Sequence, residues 1–143
     1  MVIGAAAVAD FRPVMATPGK IRRGGNLTLE LEPTPDVLAQ VIAHRTPGTV
    51  VIAFAAETEN ILANGRAKLL RKGADALFVN DVSEPGQGFD VDHNAGIWIT
   101  PAEAIELSQT SKRKLAGTIL DHALALKDLQ PTTRRYPAHP DPQ

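Results

Sequence analysis

Acids and cations at a few places in the chain are of the kinds that hold a phosphorylated ligand. Asp10 closes a run of small apolar residues, Val2 to Val8, whose alanines let a ligand come close to the backbone. A Pro- and Gly-containing connection then leads to Lys20, Arg22 and Arg23. Arginine clamps phosphate through two parallel donors and lysine acts as a point charge. Thr34-Pro35-Asp36 is a helix-start signal, and Lys68 and Lys72, four residues apart, share one helix face. Each feature also has a plainer reading. Asp10 is equally an acid solvated where a strand meets a loop, and the basic cluster an exposed edge that discourages aggregation. Lys68 and Lys72 sit where a helix dipole favours cations, by roughly 0.3–1 kcal/mol each. Phe54 is a core residue or a platform on which a base stacks. Residue types alone leave these alternatives open.

Other chemistries are excluded. The chain has no cysteine, so disulfides, thiolate catalysis and thiolate metal sites are ruled out. His44, His93, His122 and His139 are scattered without ligand spacing. Asp90, Asp92 and Asn94 have the spacing that opens a calcium loop, but Ala95 replaces the turn glycine and Pro101 the bidentate acid. No nucleophile elbow, Walker loop or G-x-G-x-x-G occurs. A formal net charge of -1 gives no global basic field, so nucleic acid is not an expected partner. No apolar run nears the roughly 20 residues of a membrane span, and there is no secretory signal, so a cytoplasmic location is expected. The sequon Asn26-Leu27-Thr28 is then coincidental.

The elements that must position these residues follow from patterning. With 143 residues, 43% of them hydrophobic and 4% aromatic, the chain suits one domain with an aliphatic core. Val2 to Val8 reads as a strand ending at Asp10. Leu27, Leu29 and Leu31 alternate with Thr28, Glu30 and Glu32, the signature of a half-buried strand. The turn Gly24-Gly25-Asn26 suggests a hairpin with Lys20-Ile21-Arg22. Thr34 as N-cap and Pro35 in the first turn open a helix to about Arg45, with Val37, Leu38, Val41 and Ile42 apolar. Thr49 to Ala56 is a strand covered on both faces. Thr58 caps a helix over Glu59 to Lys72, with Ile61, Leu62, Leu69 and Leu70 inward and Gly73 ending it. Strands follow at Ala76 to Val79, Ala95 to Ile99 and Ala104 to Leu107, with a polar loop over Ser83 to Asp92. Lys112 to Lys127 is an amphipathic helix. Residues 128–143, proline-rich and poor in apolar side chains, read as a disordered tail. Alternating strands and helices predict an α/β fold with a mainly parallel, Rossmann-like sheet, where ligands bind at the carboxyl ends of strands. Three apolar runs end in polar groups there: Asp10, Glu57-Thr58 and Asn80-Asp81.

A series of motifs carries a resemblance. AAAVADFRP (Ala5 to Pro13), KIRR (Lys20 to Arg23), LTLELEPTPDVL (Leu27 to Leu38) and FAAET (Phe54 to Thr58) occur in order. KLLRKGAD (Lys68 to Asp75), VNDVS (Val79 to Ser83), GFDVDHN (Gly88 to Asn94) and SKRKLAGTILD (Ser111 to Asp121) continue it. The chain thereby resembles, from Ile3 to about Lys127, the phosphopantothenate–cysteine ligase family, the CoaB part of the bifunctional coenzyme A biosynthesis flavoprotein. The resemblance implies CTP-dependent joining of 4′-phosphopantothenate to L-cysteine through an acyl cytidylate, with Mg²⁺. It implies that Ala6, Asp10 and Phe11 contact the nucleotide and that Lys20 lies on a flap over the triphosphate. Thr34, Pro35, Asp36 and Val37 would line the nucleotide site, Asp36 near the cation, and Phe54, Lys68 and Lys72 would complete the CTP pocket. It implies a homodimer built partly by the LTLELE segment, and no flavin in this portion. In the family a glycine- and serine-rich phosphate segment and an asparagine precede the stretch matched here. Residues 1–127 are thus expected to be the C-terminal part of the ligase domain, with a separate N-terminal segment or a decarboxylase domain as partner. Two other readings stand beside this one: a catalytically inactive nucleotide-binding or dimerisation fragment, and an NAD(P)-binding oxidoreductase fragment, the latter opposed by the missing glycine fingerprint.

Overall fold

The computed structural model describes residues 1–16, 18–82 and 92–129. In chain order the elements are β1 (Val2–Gly4), β2 (Phe11–Pro13), β3 (Leu31–Pro33), α1 (Val37–His44), β4 (Val51–Glu57), α2 (Ile61–Lys72), β5 (Ala76–Asp81), β6 (His93–Ile99), β7 (Ala104–Ser111) and α3 (Lys112–Leu129). The main sheet has the order β1-β4-β5-β6-β7. β1 and β5 flank β4 in parallel, while β6 runs antiparallel to both β5 and β7. Four strands therefore share one direction and β6 alone opposes them, so the expected Rossmann-like, mainly parallel sheet is present with one reversal.

Side chains leave alternate faces of a strand, and β4 builds two core layers in this way. Val50 and Ile52 join Ala76, Phe78 and Trp98 under α3, which contributes Leu115, Ile119 and Ala123. Ala53 joins Leu77, Val79 and Ile99 on the other face, under Leu69 of α2 and Leu38 and Ile42 of α1. Burial on both faces is why Val50 to Ala53 reads as an unbroken apolar run. Arg45, just after α1, pairs with Asp75 at 2.5 Å, and the same carboxylate accepts from Val51 N–H at 2.7 Å. That acid ties the end of α1 to the starts of β4 and β5.

Several local expectations are corrected. The first strand stops at Gly4, its last pairing being with Ala53, and Ala5 to Asp10 lie outside any strand instead of extending it. Alanine is a poor strand former, and the chain must leave the sheet here to reach β2. The hairpin joins β2 to β3, with Phe11 opposite Pro33 and Pro13 opposite Leu31, so Lys20 to Arg22 form no strand. Val14 N–H to Glu30 and Thr34 N–H to Asp10 extend that ladder at both ends. Asp36, not Thr34, is the N-cap of α1. Helix α2 begins at Ile61 after Asn60, whose φ is 47°, not at Glu59. Leu62 and Leu70 face outward, at 43% and 77% exposure, because one face of α2 suffices to cover the sheet. Gly73 ends the helix as expected, with φ 69° and its N–H bonded to Leu69. β7 runs on to Ser111 and α3 to Leu129. The calcium-loop residue Asp90, most of the polar loop after Val82 and the tail from residue 130 lie outside the described residues. Among the described residues no helix is long and apolar enough to cross a membrane.

Candidate functional site

A cavity of about 470 Å³ lies along β1 and the segment that follows it, with Phe54 in the middle of β4. Its walls are β1 and the segment Ala6 to Asp10 on one side, and Thr34 to Asp36 with Val37, Leu38 and Val41 of α1 on the other. Phe54 and Lys72 complete it. The two walls are stapled together. The Thr34 hydroxyl donates to the Ala9 carbonyl, and Thr34 N–H donates to the Asp10 carbonyl at 2.9 Å. Threonine 34 thus contributes by joining the walls, whereas the helix cap is made two residues later.

Asp36 is the hinge of the local electrostatics. Its Oδ1 accepts from Ala39 N–H at 2.9 Å, the bond that caps α1, and its Oδ2 lies 3.3 Å from Lys72 Nζ. The Ala39 N–H does most to hold the Asp36 carboxyl below its ordinary value; burial opposes it as the next-largest effect, and Lys72 and then the Leu38 N–H add to the lowering. Lys72 belongs to the last turn of α2 and Asp36 precedes α1, so the pair joins segments 36 residues apart. A lysine, a helix N-terminus and small-residue backbone facing one cavity suit an anionic ligand. Phe54, half-buried, packs edge-on against Phe78 with ring centroids 5.6 Å apart, which fixes its ring at the cavity floor.

Of the residues singled out from the sequence, Ala6, Asp10, Thr34, Pro35, Asp36, Val37, Phe54 and Lys72 line this cavity, and Phe11, Lys20 and Lys68 do not. Phe11 is 59% exposed at the start of β2, and Lys20 is exposed in the connection between β2 and β3. Lys68 is engaged by Glu57, the last residue of β4. Asn80 accepts from the Asn94 side chain at 2.7 Å, linking β5 to β6 away from the lining. Sequence reasoning missed Glu57 as a partner. Its parity with Ala53 and Ala55, on the α2 face of β4, was the available signal.

The fit to a divalent cation is limited. Among the described residues no group of three or more His, Asp or Glu side chains gathers closely enough to hold a metal. Asp36 is one carboxylate with both oxygens already engaged. A hard cation with six oxygen ligands would have to bring most of them with it, as water and phosphate.

Residues 1–126 match the family described as the DNA/pantothenate metabolism flavoprotein C-terminal domain. Among curated relatives, the coenzyme A biosynthesis bifunctional protein CoaBC of Mycobacterium tuberculosis strain H37Rv is 42% identical over 134 residues, covering 85% of this chain and 32% of that protein. CoaBC of Escherichia coli K12 is 43% identical over 97 residues, covering 65% of this chain and 24% of that protein. The chain therefore spans between a quarter and a third of the length of these relatives. A crystal structure of the C-terminal domain of a CoaBC protein superposes with a TM-score of 0.66 at 30% identity, over 89% of this chain and 55% of that one. The DNA/pantothenate metabolism flavoprotein of Streptococcus pneumoniae, at 20% identity, shares the fold with a TM-score of 0.65 over 87% of this chain and 62% of its own.

Proposed function

Because the chain belongs to the DNA/pantothenate metabolism flavoprotein C-terminal domain family, we propose that it carries the CTP-binding portion of a phosphopantothenate–cysteine ligase of coenzyme A biosynthesis. The observation that supports this reading is the convergence of Asp10, Thr34 to Val37, Phe54 and Lys72 on one cavity from four separate parts of the chain. In this reading the cytosine and ribose lie against the Ala6 to Asp10 backbone and Phe54, and Lys72 offsets phosphate charge. The carboxylate of 4′-phosphopantothenate attacks the α-phosphorus of CTP and pyrophosphate leaves. The amine of L-cysteine then attacks the acyl carbon, CMP leaves, and the amide forms. No side-chain nucleophile is required, which fits a chain without cysteine. Approach of two anions requires positive charge at the α-phosphate. Lys20, on the long β2–β3 connection, folds over the triphosphate and the reacting acyl group, where it supplies part of that charge and stabilises the negative charge that develops in the amide-forming step as CMP leaves. Mg²⁺ would enter with the triphosphate, Asp36 being the carboxylate beside it.

Thermal shift separates this reading from the oxidoreductase one. CTP with Mg²⁺ stabilises the protein and NADPH does not; stabilisation by NADPH alone would overturn the proposal. Turnover is then followed as pyrophosphate release with phosphopantothenate present, with and without a separately supplied N-terminal ligase segment.

A second reading, a nucleotide-binding assembly fragment without activity of its own, has support from the apolar surface of the β2–β3 arm. Leu27, Leu29 and Leu31 are each at least half exposed, at 63%, 60% and 52%. Buried against a second copy, they would make the homodimer. CTP binding without pyrophosphate release in any arm of the turnover experiment is the outcome that favours this reading.

A further inference from the structure

We propose that Thr34 is a positioning residue: it locks the Ala6 to Asp10 wall of the cavity to the base of the β2–β3 arm and does not itself donate to the ligand. The proposal rests on the nucleotide reading above only for the ligand used to test it. Both partners line the cavity, Thr34 on one side and Ala9 and Asp10 on the other. The Thr34 hydroxyl donates to the Ala9 carbonyl, and the Thr34 N–H donates to the Asp10 carbonyl at 2.9 Å. Among the described residues these are the hydrogen bonds that reach the wall from outside it, and one residue makes both.

The two sides of this staple differ in stiffness, and the sequence is the reason. The wall reads Ala6-Ala7-Val8-Ala9-Asp10 and lies outside any strand, so no ladder fixes its backbone. Thr34 stands between Pro33 and Pro35. Proline holds its own φ at roughly −65° and pushes the residue before it toward extended backbone, so Thr34 is restricted from both sides. Pro33 is also the last residue of β3, opposite Phe11, and the ladder of the arm runs on from that pair into the Asp10 bond. Two residues beyond Thr34, Asp36 caps α1. A stiff post thus carries a pliant wall. A hydroxyl has a single proton to donate, and Thr34 gives it to Ala9. Toward an anion, whose oxygens accept, it has none left. Its contribution is made before the ligand arrives. A wall left free would lose its freedom on binding, at a cost to affinity, and Thr34 removes part of that cost in advance.

Backbone ¹⁵N relaxation on the ligand-free full chain reads the wall directly. Thr34→Val keeps the N–H and the branched shape and removes the hydroxyl. The order parameters of Ala6 to Asp10 then fall, while those of β4 and β5 do not change. Thr34→Ser, which restores the hydroxyl, brings them back. Calorimetry with CTP–Mg²⁺ reads the consequence: Thr34→Val raises Kd by about fivefold, the size expected for one lost hydrogen bond, and Thr34→Ser recovers most of the loss. Weaker binding by Thr34→Val with an unchanged wall would make the hydroxyl a direct ligand contact and overturns the proposal. Unchanged affinity overturns it too, whether or not the wall loosens. If the unaltered protein binds no CTP, the nucleotide reading has failed, and the order parameters still decide whether Thr34 fixes the wall. Thr34 belongs to neither core layer, so these variants fold. Should valine crowd the wall, Thr34→Ala removes the hydroxyl without adding bulk and is held to the same outcomes.

Discussion

Asp36 is asked to do two things at once, and pH separates them. Its folded-state pKa is lowered, chiefly by the Ala39 N–H and then by Lys72. A depressed carboxyl contributes stability that is complete above its unfolded value, about 3.9, and is lost as pH falls through the folded value below that. Asp36→Ala removes the cap and costs about 1 kcal/mol at pH 7. In urea titrations that gap narrows as pH drops below about 4. Asp36→Asn keeps an acceptor for Ala39 and stays within a few tenths of a kcal/mol at neutral pH. The Lys72 contribution is small because the carboxylate is half exposed and screened. A gap for Asp36→Ala that stays constant from pH 7 to pH 2.5 would show that the charged cap is not the source of the effect. Lys20 gives the matching functional test. Exposed and outside the cavity lining, it is proposed to act by closing over the bound nucleotide. Lys20→Ala should leave CTP affinity within about threefold and slow the amide-forming step by 10²-fold or more, the loss expected when a charge-stabilising group is removed. Equal loss in both would remove Lys20 from the flap role.

At the level of elements, the sequence was most readable where a pattern had one solution. Val50 to Ala53 had to be a strand covered on both faces, and Gly73 had to end α2. It was least readable where two neighbouring residues compete for one task. Thr34 and Asp36 are both good caps, and the choice fell to Asp36 because the Thr34 hydroxyl is taken by Ala9. The alternation over Leu27 to Glu32 does not give the half-buried strand expected: only Leu31–Pro33 is strand. Leu27, Leu29 and Leu31 are each more than half exposed and Glu32 is the more buried, so a period of two fixes neither the length, the buried face nor the partner. The partner proved to be Phe11–Pro13, 18 or more residues earlier in register, not the nearer Lys20 to Arg22. The cavity was legible as strand ends with polar residues, yet the pairings Lys72–Asp36 and Lys68–Glu57 depend on helix placement that no local signal encodes. Gly65 is another silent position. A Cβ there would meet Ile99 Cδ1 at 2.5 Å and Val79 Cγ2 at 2.9 Å, so the missing side chain is what lets α2 lie close on β5 and β6. Gly65→Ala gains about 1 kcal/mol of helix propensity but overpacks a fully buried contact, typically a cost of 1–3 kcal/mol. The net outcome expected is a lower melting temperature; a rise would mean that Ile99 and Val79 give way freely.

For the molecule as a whole, two faces differ in how well they are satisfied. The sheet is sealed by α1 and α2 on one side and α3 on the other, while the β2–β3 arm carries apolar side chains that no described residue covers. Phe11, Ile21, Leu27, Leu29 and Leu31 are all more than half exposed. Surfaces of that kind mark association sites. A dimer measured by light scattering at micromolar concentration, and converted to monomer by Leu27→Ser with Leu29→Ser, is the expected result. A monomer before substitution would leave the arm without this role.

The end of β1 has a dynamic consequence. β1 stops pairing with β4 at Gly4, and the Ala6 to Asp10 rim of the cavity continues from there outside any strand. The amides of that rim should therefore exchange with deuterium faster than those of β4 and β5. A ligand that bridges the two walls must hold this rim shut to stay bound, and so stabilises the closed state by mass action. The largest slowing of exchange on adding CTP is accordingly expected in β1 and the alanine segment after it, not in the central strands. Ligand recognition and completion of the fold would then be one event, and the dissociation rate would report how often the rim opens.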